Sequence, residues 1–350
     1  MNINEMADEA VRVLSRLISI PSISRSETEA ADYLYNYLKE RGAYPQRCNN
    51  NVWCEQPVIK GERPTLLLNA HIDTVKPAAS WQHDPFKPTF EGECLYGLGS
   101  NDCGGGLVSL MLTFLALRDV ELPYHLVFLA SAEEEVSGKN GIEAVLPLLP
   151  PIDVAIVGEP TEMQPAVAEK GLMVLDCTAH GVSGHAARNE GVNAIYEAMK
   201  DIEWFNTYCF EKQTDLLGPV KMTVTLIQAG TQHNVVPDTC NFTVDVRANE
   251  CYSNEEILAI VRSHTKCDVM PRSTRLHSSS ISLQHPLVQA TILQGRKPFG
   301  SPTLSDQALM RFPSFKMGPG NSSRSHTADE FIRISEIKEA LTIYHKILFK

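Results

Sequence analysis

The sequence predicts an α/β protein with a mixed, mostly parallel sheet sandwiched by helices and a smaller, inserted ferredoxin-like α+β domain. Short apolar runs typical of strands buried on both faces alternate with helical patterns in the first half of the chain. The order strand, helix, strand, strand, helix, strand follows from Gly171. The length of 350 residues exceeds the usual size of a single core, so two domains are expected.

The first domain begins with two predicted helices, over 6–19 and 27–41, and Gly42 is a stop signal for the second. A long apolar helix is predicted at about 104–118. Three apolar runs predict buried strands, at 65–73, 125–133 and 153–160. Ligands gather beyond the carboxyl ends of the strands in such sheets.

The inserted domain is predicted over 171–281, and the first domain then comprises 1–170 and 282–350. A polar, serine-rich stretch at 273–285 forms the link back, and a last helix at about 334–348 packs on the main sheet. The predicted elements of the insertion are a strand at 171–180, a helix at 191–206, strands at 220–229 and 239–248, a helix at 253–265 and a weaker strand near 267–272.

Composition and charge narrow the class of protein. Lys and Arg total 31 against 42 Asp and Glu, and the net charge of −11 argues against nucleic acid or an anionic membrane as the partner. The nine cysteines are scattered, which is typical of reduced thiols in a cytosol. The N-terminus lacks the pattern of an export signal, and we see no apolar run long enough to span a membrane. We therefore expect a soluble, cytoplasmic protein.

His71, Glu133 and Glu159 fall at the ends of predicted strands, so we expect them to converge. Asp73 lies two residues after His71 and points the same way. A metal-bound imidazole usually donates its other N–H to a carboxylate or carbonyl, so Asp73 is suited to hold a ligand His71. Without this context, a His-x-Asp triplet is more often incidental than catalytic.

The segment GLGSNDCGGG at 97–106 places Asp102 in a glycine-rich turn before a helix, where a carboxylate can approach a ligand closely. The alternative role of Asp102 is that of a helix N-cap. A phosphate loop is a second alternative, but the segment lacks the Gly-Lys-Ser/Thr ending of a P-loop and the spacing of a dinucleotide site.

Three consecutive acids, 133–135, follow the apolar strand 125–132. An isolated acidic triplet is usually a solvated loop, and Glu159 and His326 taken singly are surface or cap groups. At the ends of buried strands, however, carboxylates that lose water together need cations. Two histidines and three carboxylates are a set of ligands that zinc accepts.

If Asp102 bridges two ions, His71 and Glu159 complete one site, and Glu134 and His326 complete the other. Three carboxylates and one hydroxide then balance two divalent cations. Glu133 is left free to take the proton of the shared water.

The succession of motifs HIDTV, YGLGSNDCGGG, SAEEE, VGEPT, EKG, GHAAR, NVVPD and GPG…SH spans nearly the whole chain, from Ile20 to Glu330. It resembles the dinuclear zinc amidohydrolase family that includes acetylornithine deacetylase, succinyl-diaminopimelate desuccinylase, aminoacylases and several exopeptidases. The resemblance implies a zinc-exopeptidase-like fold and two Zn²⁺ ions, for which Co²⁺ can substitute. The ligands that it implies are His71, Asp102, Glu134, Glu159 and His326, with Glu133 as the general base.

The resemblance also assigns roles within the insertion. It implies that the insertion forms a homodimer and that His185, in the GHAAR motif, reaches the partner's active site and stabilises the oxyanion. Asn234 and Arg247 look like substrate-binding groups. Judged alone, a histidine and an arginine in such a unit are as often structural.

Three positions depart from the family pattern. Leu98 stands where a basic residue is usual, and Cys103-Gly104 stand where a Met-Lys pair is usual. We expect Cys103 to be a small residue facing the core, and a stray metal ligand is the alternative.

The function that follows is metal-dependent hydrolysis of an N-acyl amino acid, as in arginine or lysine biosynthesis. Leu304 in the stretch 302–306 replaces a hydroxyl of the desuccinylase GTSD motif, which favours an N-acylated ornithine, citrulline or lysine over N-succinyl-diaminopimelate. The alternatives are a zinc dipeptidase or aminopeptidase and, in a different class, a non-catalytic metal-binding regulatory or scaffold protein.

Overall fold

A computed structural model describes residues 2–57 and 62–349 of the chain. The chain divides into two compact units. The first comprises Met1–Val167, Ile281–Phe299 and Ser305–Lys350, and the second comprises Ala168–Ser280 and Gly300–Leu304.

The helices are α1 Ile3–Ile18, α2 Thr28–Glu40, α3 Gly105–Leu117, α4 Ile142–Val145, α5 Ala194–Thr207, α6 Asn254–His264, α7 Pro286–Leu293 and α8 Ile334–Leu348. The strands are β1 Gln46–Cys48, β2 Asn51–Glu55, β3 Thr65–His71, β4 Thr89–Glu91, β5 Cys94–Tyr96, β6 His125–Ser131, β7 Val154–Val157, β8 Ala166–Glu169, β9 Gly171–His180, β10 Gly184–His185, β11 Lys221–Ala229, β12 Val235–Val236, β13 Thr239–Ala248, β14 Asp268–Pro271, β15 Ser279–Ser280, β16 Phe299–Ser301, β17 Ser314–Lys316 and β18 Phe331–Arg333.

The sheet of the first unit has a parallel centre and antiparallel edges. Its strand order is β1-β2-β6-β3-β7-β17-β8, and the pairs β6/β3, β3/β7 and β7/β17 are parallel. The pairs β1/β2, β2/β6 and β17/β8 are antiparallel. The predicted mixed, mostly parallel α/β sheet is confirmed.

Both faces of this sheet are buried, which explains the uninterrupted apolar runs of its strands. On one face, Phe114 of α3 contacts Phe128 of β6, with ring centroids 6.1 Å apart. On the other face, Leu67 of β3 belongs to a core cluster with Ile142 and Val145 of α4. Neighbouring residues of a strand point to opposite faces, so the helices on both faces pack against the same strands.

Helix α3 is apolar on all sides because it packs against α1, α8 and β3. Ser100–Leu117 matches a membrane-spanning helix in length and composition, contrary to the expectation that no apolar run is long enough. In the structure 83% of this stretch is buried within the protein, as is usual for the core helix of an α/β fold.

The second unit is an antiparallel sheet, in the order β11-β13-β9-β14, with helices α5 and α6. Its core joins Leu175, Phe205, Phe242, Val244 and Ile257. The element order β9, α5, β11, β13, α6, β14 is that predicted for a ferredoxin-like unit.

Two boundaries differ from their predicted positions. Helix α5 begins at Ala194 rather than 191, because Asn193 caps it by accepting the N–H of Ile195 at 2.9 Å. Residues 300–304, predicted in the first domain, lie with the second unit. There the N–H of Lys170 donates to the carbonyl of Ser301 at 3.2 Å.

Candidate metal centre

The metal centre predicted from the sequence lies within the first unit, at the carboxyl ends of its parallel strands. His71 ends β3, Glu134 follows β6 and Glu159 follows β7. Asp102 lies in the turn before α3, and His326 lies in the loop before β18. The parallel register of β3 with β6 and β7 brings the strand ends together.

His71 presents one ring nitrogen to the carboxylates and has the other held from behind. Its Nε2 lies 3.3 Å from Oδ1 of Asp102, 3.8 Å from Oε1 of Glu159 and 4.0 Å from Oε2 of Glu134. Its Nδ1 lies 2.8 Å from the carbonyl of Asp73 and 3.6 Å from Oδ1 of the same residue. Asp73 therefore orients the imidazole so that Nε2 can bind a metal.

The two carboxylate oxygens of Asp102 face the two histidines. Oδ1 lies 3.3 Å from Nε2 of His71, and Oδ2 lies 3.6 Å from Nε2 of His326. A carboxylate that separates two imidazoles in this way has the arrangement that a bridging ligand needs.

Close backbone packing places the Asp102 loop. A Cβ on Gly106 would lie 1.6 Å from the carbonyl oxygen of Gly158, and one on Gly104 would lie 2.3 Å from that of Gly99. Gly104 thus has no room for the lysine usual in the family. The buried Leu98, the other departure, donates its N–H to the carbonyl of Pro85 at 2.9 Å.

The predicted roles within the acidic triplet do not agree with the geometry. His326 Nε2 contacts Glu135, at 3.1 Å from Oε1 and 3.0 Å from Oε2, and not Glu134, with which it is predicted to share an ion. Glu133, predicted to face the metal-bound water, instead accepts a hydrogen bond from Asn140 Nδ2 at 3.0 Å. Within the triplet, the half-buried carboxylate of Glu134 lies near His71, with Oε2 4.0 Å from Nε2, and does not contact His326.

The backbone conformation explains why Glu135, rather than Glu134, contacts His326. Glu133 adopts a left-handed conformation with φ of 54°, and its N–H donates to Glu27 at 3.3 Å. The next two N–H groups, of Glu134 and Glu135, donate to the carboxylate of Asp73 at 3.0 and 3.2 Å. Asp73 thus positions the acidic triplet as well as His71.

The residues present fit a divalent cation beside His71, which belongs to both groups of ligand atoms that lie close together. The ligand atoms of His71, Asp102 and Glu135 lie within 4.8 Å of one another, and so do those of His71, Cys103 and Glu159. Among the described residues, Oε1 of Glu159 is buried without a hydrogen-bond partner. Burial and the charge of Asp102 raise the pKa of Glu159 to about 8. Such crowded, desolvated carboxylates require cations.

Cys103 is buried behind His71. Its thiol accepts the N–H of His71 at 3.2 Å and donates to the carbonyl of His71 at 3.4 Å. Burial raises the pKa of the thiol well above its usual range. These contacts match a small residue packed beneath the site, although the thiol is also near enough to reach a cation bound by His71 and Glu159.

A buried polar layer that the sequence patterns do not predict lies under the centre. Asp306 accepts hydrogen bonds from Ser131 Oγ at 2.6 Å and from Asn69 Nδ2 at 3.1 Å. The sequence predicts Asp306 only as part of the substrate-recognition stretch 302–306. The pKa of Glu134 is raised well above its usual value, first by burial and also by the charges of Glu159 and Asp306. The polar residue Asn69 within an otherwise apolar strand is the sequence feature that indicates this layer, because a buried polar side chain needs a hydrogen-bond partner.

The remaining predicted residues lie in the second unit. His185 is exposed on β10, where its Nδ1 accepts the N–H of Ala187 at 3.1 Å. Exposed Asn234 accepts the N–H of Ala186 at 3.0 Å through its carbonyl. Arg247 binds both carboxylate oxygens of Asp245, at 2.8 and 3.1 Å. Their substrate-binding and catalytic roles stay predictions.

Comparisons with known proteins identify the family of the chain. The model of peptidase family M20/M25/M40 matches residues 67–350. Succinyl-diaminopimelate desuccinylase 2 of Ruegeria sp. (strain TM1040) is 25% identical over 375 residues, covering 98% of this chain and 95% of the relative. The LysW-lysine/LysW-ornithine hydrolase of Sulfurisphaera tokodaii is 28% identical over 345 residues, which cover 95% of this chain and 92% of the relative.

Solved structures show the same fold. Aminopeptidase PepT from Bacillus cereus ATCC 10987 superimposes with a TM-score of 0.80 at 18% identity, and the match covers 99% of this chain and 98% of that one. The family predicted from the motifs is confirmed. The chain belongs to peptidase family M20/M25/M40 and is a metal-dependent amidohydrolase.

Proposed function

We propose that this protein hydrolyses the amide bond of an N-acyl amino acid at a centre for two zinc ions. The observation that carries the proposal is Asp102, whose two oxygens face His71 and His326 at 3.3 and 3.6 Å. We assign Glu159 to the His71 side and Glu135 to the His326 side of this carboxylate, which revises the predicted ligand set by one residue. These imidazole and carboxylate ligands are ones that zinc accepts, and Co²⁺ can substitute.

We assign the role of general base to Glu134. Two divalent cations bound at the centre supply a Lewis acid for the scissile carbonyl and lower the pKa of water. The Glu134 carboxylate takes a proton from the attacking water and delivers it to the amine nitrogen as the amide bond breaks. Oε2 of Glu134 lies 4.0 Å from Nε2 of His71, which places this carboxylate beside the proposed cations. A merely structural metal site has no use for such a carboxylate.

The substrate that we propose is an N-acylated ornithine, citrulline or lysine. The two relatives act, by their names, on succinyl-diaminopimelate and on LysW-linked lysine or ornithine. These names support an acylated amino acid as the substrate, and we propose that the protein acts in amino-acid biosynthesis in the cytoplasm. The EKG motif at 169–171 favours the acetylornithine deacetylase branch and arginine biosynthesis.

A substrate panel tests this proposal. With added Zn²⁺ or Co²⁺, we expect the highest kcat/KM among N-acetylornithine, N-acetylcitrulline, N-acetyllysine and N-succinylcitrulline. The panel also contains N-succinyl-diaminopimelate and unblocked dipeptides. A clear preference for N-succinyl-diaminopimelate would overturn the substrate assignment, and a preference for unblocked dipeptides would make the protein a peptidase.

We further propose that the protein is a homodimer formed through the second unit. Strand β11 is an edge of the sheet, and its Leu226 and Ile227 are 64% and 58% exposed. Met199 and Tyr196 of α5, which packs against β11, are also exposed. An exposed apolar edge strand is a template for pairing with another chain, and a second copy covers it.

In this dimer, His185 acts in the active site of the partner. We expect inactive His185→Ala and Glu134→Gln chains to regain activity when mixed, because a heterodimer then contains one site with an intact Glu134 and an intact partner His185. Native mass spectrometry establishes that subunits exchange. If exchange occurs and activity does not return, His185 does not act across the interface.

A further inference from the structure

Glu330 is a buried carboxylate whose hydrogen bonds all reach one loop of the metal centre. It is 2% exposed and lies four residues after His326, directly before β18. Its Oε1 accepts the N–H groups of Asn101 at 2.7 Å and Asp102 at 2.9 Å. Its Oε2 accepts the N–H of Gly99 at 3.0 Å. Charge-assisted bonds to three backbone donors are among the stronger hydrogen bonds in proteins.

The loop that Glu330 holds has little else in its sequence to order it. Residues 97–104, which precede α3, contain three glycines, and Gly99 has a φ of 74°, in the left-handed region that favours glycine. Glycine loses more conformational freedom on folding than any other residue, so such a loop needs external partners to present Asp102 in one position.

A second set of bonds joins the same loop to the segment that carries His326. Asn101 Nδ2 donates to the carbonyl of Asn321 at 3.1 Å and to Ser325 Oγ at 3.3 Å, and Asn101 Oδ1 accepts the N–H of Asn321 at 3.0 Å. The hydrogen bonds of Glu330 and Asn101 therefore join two segments that are more than 200 residues apart in the chain. These segments present Asp102 and His326 to each other.

We propose that Glu330 is a positioning residue that sets the affinity of the metal centre on its His326 side. Both of its oxygens accept backbone N–H groups, and it acts by fixing Oδ2 of Asp102 opposite Nε2 of His326, 3.6 Å away. On the His71 side, Asp73 holds the imidazole independently. Loss of Glu330 therefore weakens the binding of the ion on the His326 side more than the binding of the ion on the His71 side. This inference rests on the proposed two-metal centre.

Titration of the metal-free protein with Co²⁺, followed by its visible absorption, tests the inference. Wild type is expected to bind two ions. In Glu330→Gln and Glu330→Ala we expect one of the two dissociation constants to rise by about 10- to 100-fold, the range for partners that orient metal ligands. The alanine variant is expected to show the larger effect, because glutamine keeps one acceptor oxygen. At saturating Co²⁺, we expect kcat to fall while KM changes little.

Asp201→Asn is the matched control. Asp201 is also a buried carboxylate that accepts backbone N–H groups, those of Lys266 and Cys267, but it lies in the second unit. We expect it to leave both Co²⁺ affinities unchanged. Glu330→Gln keeps the side-chain shape, so it decides the question if Glu330→Ala is poorly folded.

The outcomes separate this inference from the proposed function. Two-step Co²⁺ binding that is the same in wild type and in Glu330→Gln overturns the positioning role, even if the substrate panel shows hydrolysis. A selective loss of one Co²⁺ site supports the role, even if no N-acyl amino acid in the panel is cleaved.

Discussion

Glu134→Gln is expected to lower kcat by at least about 10²-fold, the usual effect of losing a general base, while both metal ions stay bound. The amide has the shape of the carboxylate but cannot accept the proton of the attacking water. We expect KM to change little. Steady-state kinetics on the best substrate of the panel, with metal content by elemental analysis of the same preparation, measure both effects.

Glu133→Gln is the matched control, since it makes the same chemical change one residue earlier. The Glu133 carboxylate binds Asn140 and does not face His326, so we expect a much smaller loss of kcat. The reverse order of effects would restore the role of base to Glu133. Loss of an ion from Glu134→Gln would instead make Glu134 a ligand.

Asp102→Ala is expected to lose both metal ions and at least about 10³-fold in activity, because it removes the one carboxylate shared by both sides of the centre. Metal ions contribute several kcal/mol to stabilising the transition state of such hydrolyses, and about 4 kcal/mol corresponds to this factor. His326→Ala, which removes a ligand from one side only, is expected to retain one ion. Metal content after dialysis distinguishes the two variants.

Cys103→Ala is the control for disturbance of the loop, because it truncates the adjacent buried side chain. We expect it to keep both ions, since the thiol bonds to the backbone of His71. If Cys103→Ala loses metal as completely as Asp102→Ala, the thiol is a ligand and the assignment of the His71 side is wrong.

Much of the fold could be predicted because it depends on local patterns. Strands β3, β6 and β7 are apolar without interruption because both of their faces are covered. The small sheet in the order β18-β5-β4 was missed, because strands of three residues are too short to show a period. Helix α7 was missed although Pro286 at its first position is a known start signal.

The sequence by itself determined the layers of the first unit, the order of elements in the second, and the approach of His71 to Glu159, which follow neighbouring strands. Hydrophobic periodicity and strand-end positions are readable along the chain. Only the tertiary structure decided which residue of the acidic triplet faces His326. The three consecutive glutamates have the same side chain, so only the path of the backbone decides where each one points. The left-handed φ of Glu133 and the hydrogen bonds to Asp73 determine that path. It also decided that Glu330 holds the Asp102 loop, because a contact between residues 228 positions apart leaves no local pattern.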